Sequence, residues 1–528
     1  MKKFLFTFFI FFTCSINAAW QPVDAPRNVI IMVPDGASDA LFTLARWVKN
    51  EPLACDAILA GRVRTFASND LIADSSAAAT AMTAGIKTHN GAINLGPRES
   101  FYNAPGAPEV PPGQPVATLF DAAKRTGRGT GIVTTDTLTG ATPAAFGGAH
   151  TMSRKSHGVV AQQLVARQPD VLLGGGLLAF RSPTRGGMRE DDLELDLAWI
   201  AAGGIFVTNK LQLAQHASGR VLGIFADWTM TPVLDRAATA PREPSLPEMT
   251  LHAIRLLNQN KRGFFLMVEG GRPDHAAHAN DAVMAVTELL EFDMAVAVAL
   301  DFAQQDKRTL VIVAADHETG GLSLGNLRAS SIKRDNLAGS IARMKVSAER
   351  LVQLIGKEPA PADIAIQLQL NWGIRITDDA AQSILDNAPT SAFGLASAIT
   401  THVNRNHLDL GWTSHQHTGG DVALYAYGPC APSGLIDNTD IARTAAAAMR
   451  VDLDALTREL FVDSREIFPD AKFMPEENPD HLLLPDGGKI PFHDTVKILP
   501  DGTRRPLGGL AVYIPETHIL HLPRDAAK

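Results

Sequence analysis

The sequence predicts an α/β fold in which a doubly wound, mainly parallel sheet is flanked by helices. Short apolar runs rich in β-branched residues recur along the chain, and the first is NVIIMV at Asn28 to Val33. Such runs are typical of strands buried on both faces of a parallel sheet. Helix-like segments lie between them, for example Leu119 to Arg125 and Met249 to Asn258. This alternation indicates a doubly wound sheet.

Further runs continue the strand pattern. They are Gly131 to Thr134, Val171 to Leu173, Val221 to Phe225, Phe264 to Val268 and Leu310 to Val313. A later run, DVALYAY at Asp421 to Tyr427, alternates in polarity and predicts a partly exposed strand.

Length and composition limit the classes of function. The chain has 528 residues, 45% of them hydrophobic and 20% charged, which describes an ordinary globular protein with a substantial core. The formal charge is −8 and the isoelectric point is near 6.1. Because this balance offers no basic face, we exclude nucleic acid as a partner.

The first residues have the layout of a secretory signal peptide, which we place at residues 1–19. Lys2 and Lys3 precede the apolar run Phe4 to Phe12, and the small residues Ala18 and Ala19 follow. No later apolar run is long enough to span a bilayer. We therefore expect an exported protein, periplasmic or secreted.

Cysteine content argues against a disulfide-built fold. Cys14 lies inside the predicted signal peptide, which leaves Cys55 and Cys430. The sequence leaves open whether these two meet, and we favour two free thiols.

We predict a catalytic domain at residues 20–450 and a C-terminal extension at residues 451–528. Within the former, residues 322–410 lose the sheet pattern and form a helical insertion. In this insertion, several apolar residues share one helix face and predict a helix that ends at Gly356: Ile341, Met344, Leu351, Val352 and Ile355. A second helix is predicted to start at Thr377. Pro-Asp-Gly turns at Pro485 and Pro500 predict a small β appendage in the extension.

The stretch ADSSAAATAMTAG, from Ala73 to Gly85, places Ser75 at a helix N-terminus. A polar, strand-like run from Arg62 to Ile72 precedes it, and small residues with good helix propensity follow. Unpaired N–H groups at a helix N-terminus favour a bound phosphate or a serine oxygen that carries negative charge. Asp and Ser are also ordinary N-caps, so this stretch alone leaves both interpretations open.

Polar side chains follow several predicted strands directly. Asp35, Glu269, Asp316 and His317 all stand at such positions. Because the carboxyl ends of parallel strands share one edge of the sheet, where open α/β sheets bind ligands, we expect these four side chains to lie near one another.

Metal-ligand chemistry is concentrated in three stretches. In EGGRPDHAAH, a helix that starts near Pro273 would place Asp274 and His278 on one face. The DHETG stretch at Asp316 and the HQHTGGD stretch around His417 add carboxylate and imidazole groups. Nitrogen and oxygen ligands without thiolate suit zinc, and magnesium where oxygens alone meet.

Together these motifs resemble the alkaline phosphatase family over roughly Asn28 to Tyr427, apart from the insertion. The resemblance implies Ser75 as the nucleophile that becomes phosphorylated and Arg154 as the clamp on the phosphoryl oxygens. It also implies two zinc ions and one magnesium ion: Asp274, His278 and His417 for the first zinc, Asp316, His317 and Asp35 for the second, and Asp35, Thr142 and Glu269 for magnesium. Paired metals suit phosphoryl transfer because they neutralise the entering and leaving oxygens.

Several assignments have plainer alternatives. Thr142 precedes Pro143 and could be a turn residue, and Arg154 could belong to a solvated basic face with Lys155. His415 competes with His417, which we prefer because Thr-Gly follows it, as in the family.

The chain also departs from the family pattern. Pro34-Asp35-Gly36-Ala37 stands where Gly-Asp-Gly-Met is common, and Gly140 and His275 occupy positions that often carry charged or hydrogen-bonding pairs. Because Gly140 brings no side chain and His275 brings an imidazole that is mostly uncharged at alkaline pH, we expect weak magnesium binding.

The resemblance implies an enzyme that hydrolyses small phosphate monoesters and releases inorganic phosphate. A phosphodiesterase of the same superfamily and a non-catalytic phosphate-binding protein are the alternatives. A diesterase would have less use for Arg154, and a binding protein would not need Ser75. A homodimer is compatible with the resemblance, and the insertion could border the site or a dimer contact.

Overall fold

The computed structural model describes residues 25–326, 331–388 and 394–528. The predicted signal peptide, residues 1–19, lies outside these ranges. No helix among the described residues is both long and apolar enough to cross a membrane.

A ten-stranded sheet organises the molecule, with strand order β14-β2-β13-β8-β1-β7-β3-β4-β6-β5. Its strands are β1 (Asn28–Pro34), β2 (Leu59–Arg64), β3 (Gly129–Thr137), β4 (Val171–Gly175), β5 (Ile205–Val207), β6 (Val221–Ile224), β7 (Phe264–Gly270), β8 (Thr309–Ala314), β13 (Val422–Tyr427) and β14 (Gly434–Asp437). Two short pairs lie beyond it: β9 (Glu318–Thr319) with β12 (His417–Thr418), and β10 (Leu322–Ser323) with β11 (Gly411–Trp412).

Most neighbouring strands are parallel. β1 lies between β7 and β8 and is parallel to both, and β3 is parallel to β7. β13 runs antiparallel to β2 and β8. The predicted mixed but mainly parallel sheet is confirmed, and the carboxyl ends of β1, β3, β7 and β8 meet at one edge.

Two strand predictions need correction. The run from Arg62 to Ile72 is a strand only as far as Arg64 and then follows an irregular path to the helix at Ser75. The strand at Val422 is more buried than its alternation indicates, because it lies inside the sheet between β2 and β8 and only Ala426 and Tyr427 are partly exposed.

Helices cover both faces of the sheet and form the insertion. In chain order they are α1 (Asp39–Lys49), α2 (Ser75–Ala84), α3 (Leu119–Arg125), α4 (Ala141–Phe146), α5 (His157–Ala166), α6 (Leu195–Ala201), α7 (Lys210–Gln215), α8 (Val233–Thr239), α9 (Leu246–Leu257), α10 (Arg272–His278), α11 (Ala282–Asp306), α12 (Arg334–Arg343), α13 (Ala348–Ile355), α14 (Pro361–Trp372), α15 (Asp378–Asp386), α16 (Gly394–Val403), α17 (Asn438–Ala448), α18 (Leu453–Leu460) and α19 (Ser464–Ile467).

The insertion is helical from α12 to α16, but its first predicted helix is two helices. α12 stops at Arg343, and Ser347 begins α13 by accepting a hydrogen bond from Arg350 N. Asp235 fixes this break because its carboxylate accepts hydrogen bonds from the Ser347 hydroxyl at 2.6 Å and from Ser347 N at 3.1 Å. The prediction of α15 holds, since Thr377 is its N-cap.

The C-terminal extension carries two small sheets. One has β16 (Lys472–Met474), β17 (His481–Leu483), β18 (Lys489–Pro491), β19 (Val496–Ile498) and β20 (Arg504–Pro506); the other has β15 (Val462–Asp463), β21 (Val512–Ile514) and β22 (Ile519–Leu522). The predicted Pro-Asp-Gly turns join β17 to β18 and β19 to β20.

The extension has its own apolar cluster around Ile490 and Leu520. α18 and part of β21 pack into the main core. Cys55 is buried, Cys430 is partly exposed, and the two do not form a disulfide with each other, as favoured from the sequence.

Candidate active site

Ser75 begins α2 at the carboxyl edge of the sheet. Asp74 caps the helix by accepting a hydrogen bond from Ala77 N, and Gly85 ends it with φ 75°. The Ser75 side chain is buried, and its Oγ lies 3.1 Å from Nε2 of His317. The sequence therefore located a serine at a helix N-terminus correctly, and the fold brings a predicted ligand into contact with it.

Arg154 reaches this serine loop through Asp74. Its Nη1 lies 3.3 Å from Asp74 Oδ2, and the same carboxylate accepts from Ser76 Oγ and Gly91 N. Burial alone would lower the pKa of Arg154, but the nearby carboxylates of Asp74, Asp35 and Asp274 raise it. The guanidinium thus faces the acidic edge, whereas Lys155 is exposed.

The first candidate metal cluster contains Asp274, His278 and His417. Asp274 and His278 lie four residues apart on α10, as predicted, and Nε2 of His278 is 3.3 Å from Asp274 Oδ2. His417 comes from β12, and its Nε2 is 3.7 Å from Asp274 Oδ1. Potential ligand atoms of the three residues lie within 4.8 Å of one another, so one ion could bind all three.

The second candidate cluster contains Asp35, Asp316 and His317. Nε2 of His317 lies 3.3 Å from Asp316 Oδ2 and 3.8 Å from Asp35 Oδ1. These side chains follow β1 and β8, which are neighbours in the sheet. Since the same Nε2 also faces Ser75, an ion held here would adjoin the serine oxygen.

All three clustered histidines are held through their Nδ1 atoms. His278 donates to the His415 carbonyl at 2.7 Å, and His417 donates to the Ala73 carbonyl at 3.0 Å. Nδ1 of His317 lies 3.2 Å from Thr319 Oγ1. Such hydrogen bonds set the tautomer and orient each Nε2 toward a carboxylate of its own cluster.

The protonation of these rings differs. Burial lowers the pKa of His317 and of His417 to about 4, so both are neutral at pH 7 and present a lone pair. For His278, Asp274 outweighs the effect of burial and raises the pKa to about 9. A cation that binds Asp274 and His278 would therefore displace a proton.

The buried carboxylates of Asp35 and Asp316 are not neutralised by nearby positive charges. Burial, followed by the charges of Asp316, Asp274 and Glu269, raises the pKa of Asp35 well above its usual value. Burial and Asp274 raise the pKa of Asp316 to about 6. Asp35 Oδ1 and Asp316 Oδ2 are buried without hydrogen-bond partners among the described residues. Divalent cations would satisfy both the charge and the free oxygens, so these residues fit metal binding.

The oxygen-only set is also at this edge. Glu269 ends β7 next to Val33 of β1 and Thr134 of β3, and its Oε2 accepts a short hydrogen bond from the Thr134 hydroxyl. Thr142 lies in α4, and its Oγ1 is buried without a partner among the described residues. Unsatisfied oxygens of this kind fit a magnesium ion.

Two histidines of the motifs face away from the clusters. His415 Nε2 lies 3.2 Å from Ser397 Oγ in the insertion, and its Nδ1 donates to the His278 carbonyl. His275 Nδ1 accepts a hydrogen bond from Arg272 Nη1 at 2.9 Å.

The sequence reasoning missed Thr319, which links the two clusters. Its hydroxyl donates to Asp274 Oδ1 at 2.6 Å and faces His317 Nδ1. It also missed the part of Asp74 in holding Arg154. Thr319 lies inside the DHETG stretch, so proximity to two ligands was an available signal, but its contact with Asp274 depends on the fold.

Comparison with known proteins gives a consistent result. Residues 26–451 match the family model for alkaline phosphatase. The chain is 34% identical over 453 residues to alkaline phosphatase 3 of Bacillus subtilis (strain 168), which covers 81% of this chain and 90% of that protein. It is 35% identical to alkaline phosphatase 4 of the same organism, which covers 78% of this chain and 87% of the relative.

Solved structures share the fold. The Thermus thermophilus alkaline phosphatase superposes with a TM-score of 0.71 at 28% identity, over 81% of this chain and 92% of that one. The cold-active alkaline phosphatase from a psychrophilic Shewanella sp. gives a TM-score of 0.67 at 29% identity, over 80% of this chain and 99% of that one.

Proposed function

The chain belongs to the alkaline phosphatase family and is a phosphomonoesterase, and we propose that it hydrolyses its substrates through a phosphoserine at Ser75. The observation that supports this most strongly is the position of Ser75 Oγ. It lies at the start of α2 and 3.1 Å from Nε2 of His317, which itself faces Asp35 and Asp316.

Two covalent steps would follow from this position. Ser75 Oγ forms a bond to phosphorus as the bond from phosphorus to the substrate oxygen breaks, and the departing alcohol takes up a proton. Water then cleaves the phosphoserine, which releases inorganic phosphate and restores the Ser75 hydroxyl. The N–H groups at the start of α2 favour the anionic phosphoryl group beside Ser75.

The family implies divalent metal ions, and we propose two zinc ions and one magnesium ion. Zinc would be held by Asp274, His278 and His417 and by Asp35, Asp316 and His317, and magnesium by Asp35, Thr142 and Glu269. When bound, these ions would supply positive charge to the oxygens that enter and leave phosphorus. The Nδ1 hydrogen bonds of the three histidines hold their Nε2 atoms in place beforehand.

Arg154 would bind the phosphoryl oxygens of a monoester. Its planar fork is suited to two oxygens, and Asp74 orients it next to the nucleophile. A phosphodiester has one fewer free oxygen, so this arginine favours monoesters over the diesterase alternative.

The test is a phosphate-trapping experiment with the purified, metal-loaded protein. We expect labelled phosphate, trapped by acid quenching, on the peptide that contains Ser75, and none in the Ser75→Ala variant. Ser76 is its neighbour, so the peptide must be mapped to the single residue. Label on Ser76, or no label, would contradict the proposal.

We also propose that the protein is exported to the periplasm or secreted. Support comes from the basic and apolar pattern of residues 1–19. A mature N-terminus near Ala19 in protein from the exported fraction is the expected result, and an intact Met1 there would contradict it.

A further inference from the structure

Gly140 stands where the family often has a charged or hydrogen-bonding side chain. In this structure another side chain fills the space beside it. A Cβ built on Gly140 would lie 2.6 Å from Oδ2 of Asp136 and 3.3 Å from its carboxyl carbon. The Gly140 backbone has φ −59° and ψ 161°, which any L-residue adopts. The nearest obstacle to a side chain at this position is therefore the Asp136 carboxylate, and the Thr137 carbonyl oxygen, 3.0 Å from the same Cβ, is the second.

The rest of Asp136, near the end of β3, is in contact with residues that lie next to the proposed ligand Glu269. Asp136 N donates to Thr134 Oγ1 at 2.8 Å, and the same hydroxyl donates to Glu269. A Cβ on Gly271, just before α10, would lie 2.7 Å from the Asp136 Cβ. Asp136 is thus packed against the segment that joins β7 to α10.

The two oxygens of Asp136 have different surroundings. Oδ1 accepts a hydrogen bond from Thr137 N at 2.6 Å. Oδ2 faces Gly140 and accepts no hydrogen bond from any residue that the structure describes. A carboxylate oxygen at this position is free to accept from a water or to bind a cation.

Asp136 also adds to the excess of negative charge. Its carboxylate lies in β3, next to β7, which carries Glu269, and β7 in turn lies next to β1, which Asp35 follows. Thr142 Oγ1 and Asp35 Oδ1, buried without partners among the described residues, belong to the same proposed oxygen-ligand set. An unsatisfied hydroxyl and crowded carboxylates together favour a hard divalent cation.

We propose that Asp136 is a further oxygen ligand, direct or through one water, for the divalent cation assigned to Asp35, Thr142 and Glu269, and that it takes the place of the side chain absent at Gly140. The inference rests on the proposed function only for the location of that cation. It revises the expectation of weak magnesium binding, because that expectation was based on Gly140 and His275 and did not include Asp136.

The test measures cation binding and not turnover. Zinc-loaded, magnesium-free protein is titrated with Mn²⁺, whose unbound fraction is read by electron paramagnetic resonance, and Mg²⁺ is then added as competitor. We expect Asp136→Asn to weaken Mn²⁺ binding by about 10- to 100-fold, the usual cost of losing a supporting ligand, while zinc content stays unchanged. Asp227→Asn is the matched control, because Asp227 is an exposed carboxylate on the loop after β6.

A second variant keeps the test decisive if Asp136→Asn also loses stability or zinc. Asp136→Ala combined with Gly140→Asp moves the carboxylate to the other side of the same contact, and we expect it to regain most of the Mn²⁺ affinity. Unchanged affinity in Asp136→Asn would overturn the proposal, as would failure of the double variant to regain affinity. Since no step depends on phosphate, failure of the phosphoserine experiment would leave this result interpretable.

Discussion

Buried carboxylates are compensated differently in two regions of the molecule. Between α8 and α11, Glu291 accepts from Arg236 Nη1 at 2.6 Å and from Nη2 at 3.0 Å, so this carboxylate has a counterion. At the carboxyl edge of the sheet, no described lysine or arginine nitrogen lies within 4 Å of Asp35 or Asp316.

The paired carboxylate of Glu291 helps to stabilise the fold, whereas the carboxylates of Asp35 and Asp316 are suited to bind a cation. For a paired carboxylate such as Glu291, the attraction to its partner offsets the desolvation cost of burial. Removing one member of the pair destabilises the protein, because the other charge stays buried without a counterion. An unpaired buried carboxylate destabilises the protein until a cation binds. Substitutions in the two regions should therefore have opposite effects on activity and stability.

The largest expected effect is on turnover, in the region of the site. Ser75→Ala should lower kcat/KM for an aryl phosphate by at least on the order of 10³-fold, because the covalent step is lost. Its Tm and metal content should equal those of the parent. Ser76→Ala is the control, and a comparable loss there would move the nucleophile to Ser76.

The next effect is on stability, in the paired region. Glu291→Gln should lower the free energy of unfolding by about 3 kcal/mol, because Arg236 would remain buried without its counterion. Urea unfolding measures this, and kcat of the folded fraction should stay near the parent value. An unchanged free energy of unfolding in Glu291→Gln would show that the pair of Glu291 and Arg236 does not stabilise the fold.

A carboxylate-to-amide change at Asp35 should not destabilise the protein, in contrast to the change at Glu291. In metal-stripped protein, Asp35→Asn should leave the Tm unchanged or raise it, because it removes repulsion with Asp316.

The pKa of Asp316, raised by burial and Asp274 to about 6, makes the stability of the metal-free protein depend on pH. The folded metal-free protein binds this proton more tightly than the unfolded chain, so the contribution of Asp316 to stability should fall as pH rises from about 4 through about 6. The lowered pKa values of His317 and His417 give the opposite slope over this range, so the contribution of Asp316 is measured as the difference between the parent and Asp316→Asn.

Thermal unfolding of the stripped protein across this pH range measures the effect. A difference between the parent and Asp316→Asn that grows with pH in that window, or a large loss of Tm in metal-stripped Asp35→Asn, would mean that these carboxylates are compensated by the protein itself.

Arg154→Ala should weaken turnover of monoesters by about 10²-fold, as expected for loss of one charged donor in the transition state. Inhibition by inorganic phosphate should weaken as well, while any diesterase activity should change less. Lys155→Ala serves as the exposed control. Equal losses on a monoester and a diester would argue against contact with the extra oxygen.

The smallest effect concerns the link between the two clusters. Thr319→Val keeps the shape but removes the hydroxyl that contacts Asp274 and His317, so zinc affinity should fall by about 10-fold. Thr319→Ser should restore most of it. Competition with a chromophoric chelator measures both variants, and an unchanged affinity in Thr319→Val would show that the ligands hold their positions without this link.

The sequence was most informative where local pattern decides the structure. Buried parallel strands read as apolar runs, which identified β1, β3, β7 and β8. The spacing of Asp274 and His278 suits one helix face, which the fold realises on α10. Chain order also put Asp316 and His317 directly after a strand.

Contacts between distant segments were beyond such reasoning. The break between α12 and α13 depends on Asp235, more than a hundred positions away, whose carboxylate holds Ser347. The Thr319 contact with Asp274 joins β9 to α10. The proposed role of Asp136 likewise depends on its packing against Gly140 and Gly271.

The central claim is that two cation clusters flank one nucleophile, and anomalous X-ray scattering at the zinc edge tests it most directly. Crystals of zinc-loaded protein should show two full peaks. One should lie among Asp274, His278 Nε2 and His417 Nε2, and the other among Asp35, Asp316 and His317 Nε2, beside Ser75 Oγ. A single peak, or peaks away from these atoms, would contradict the account.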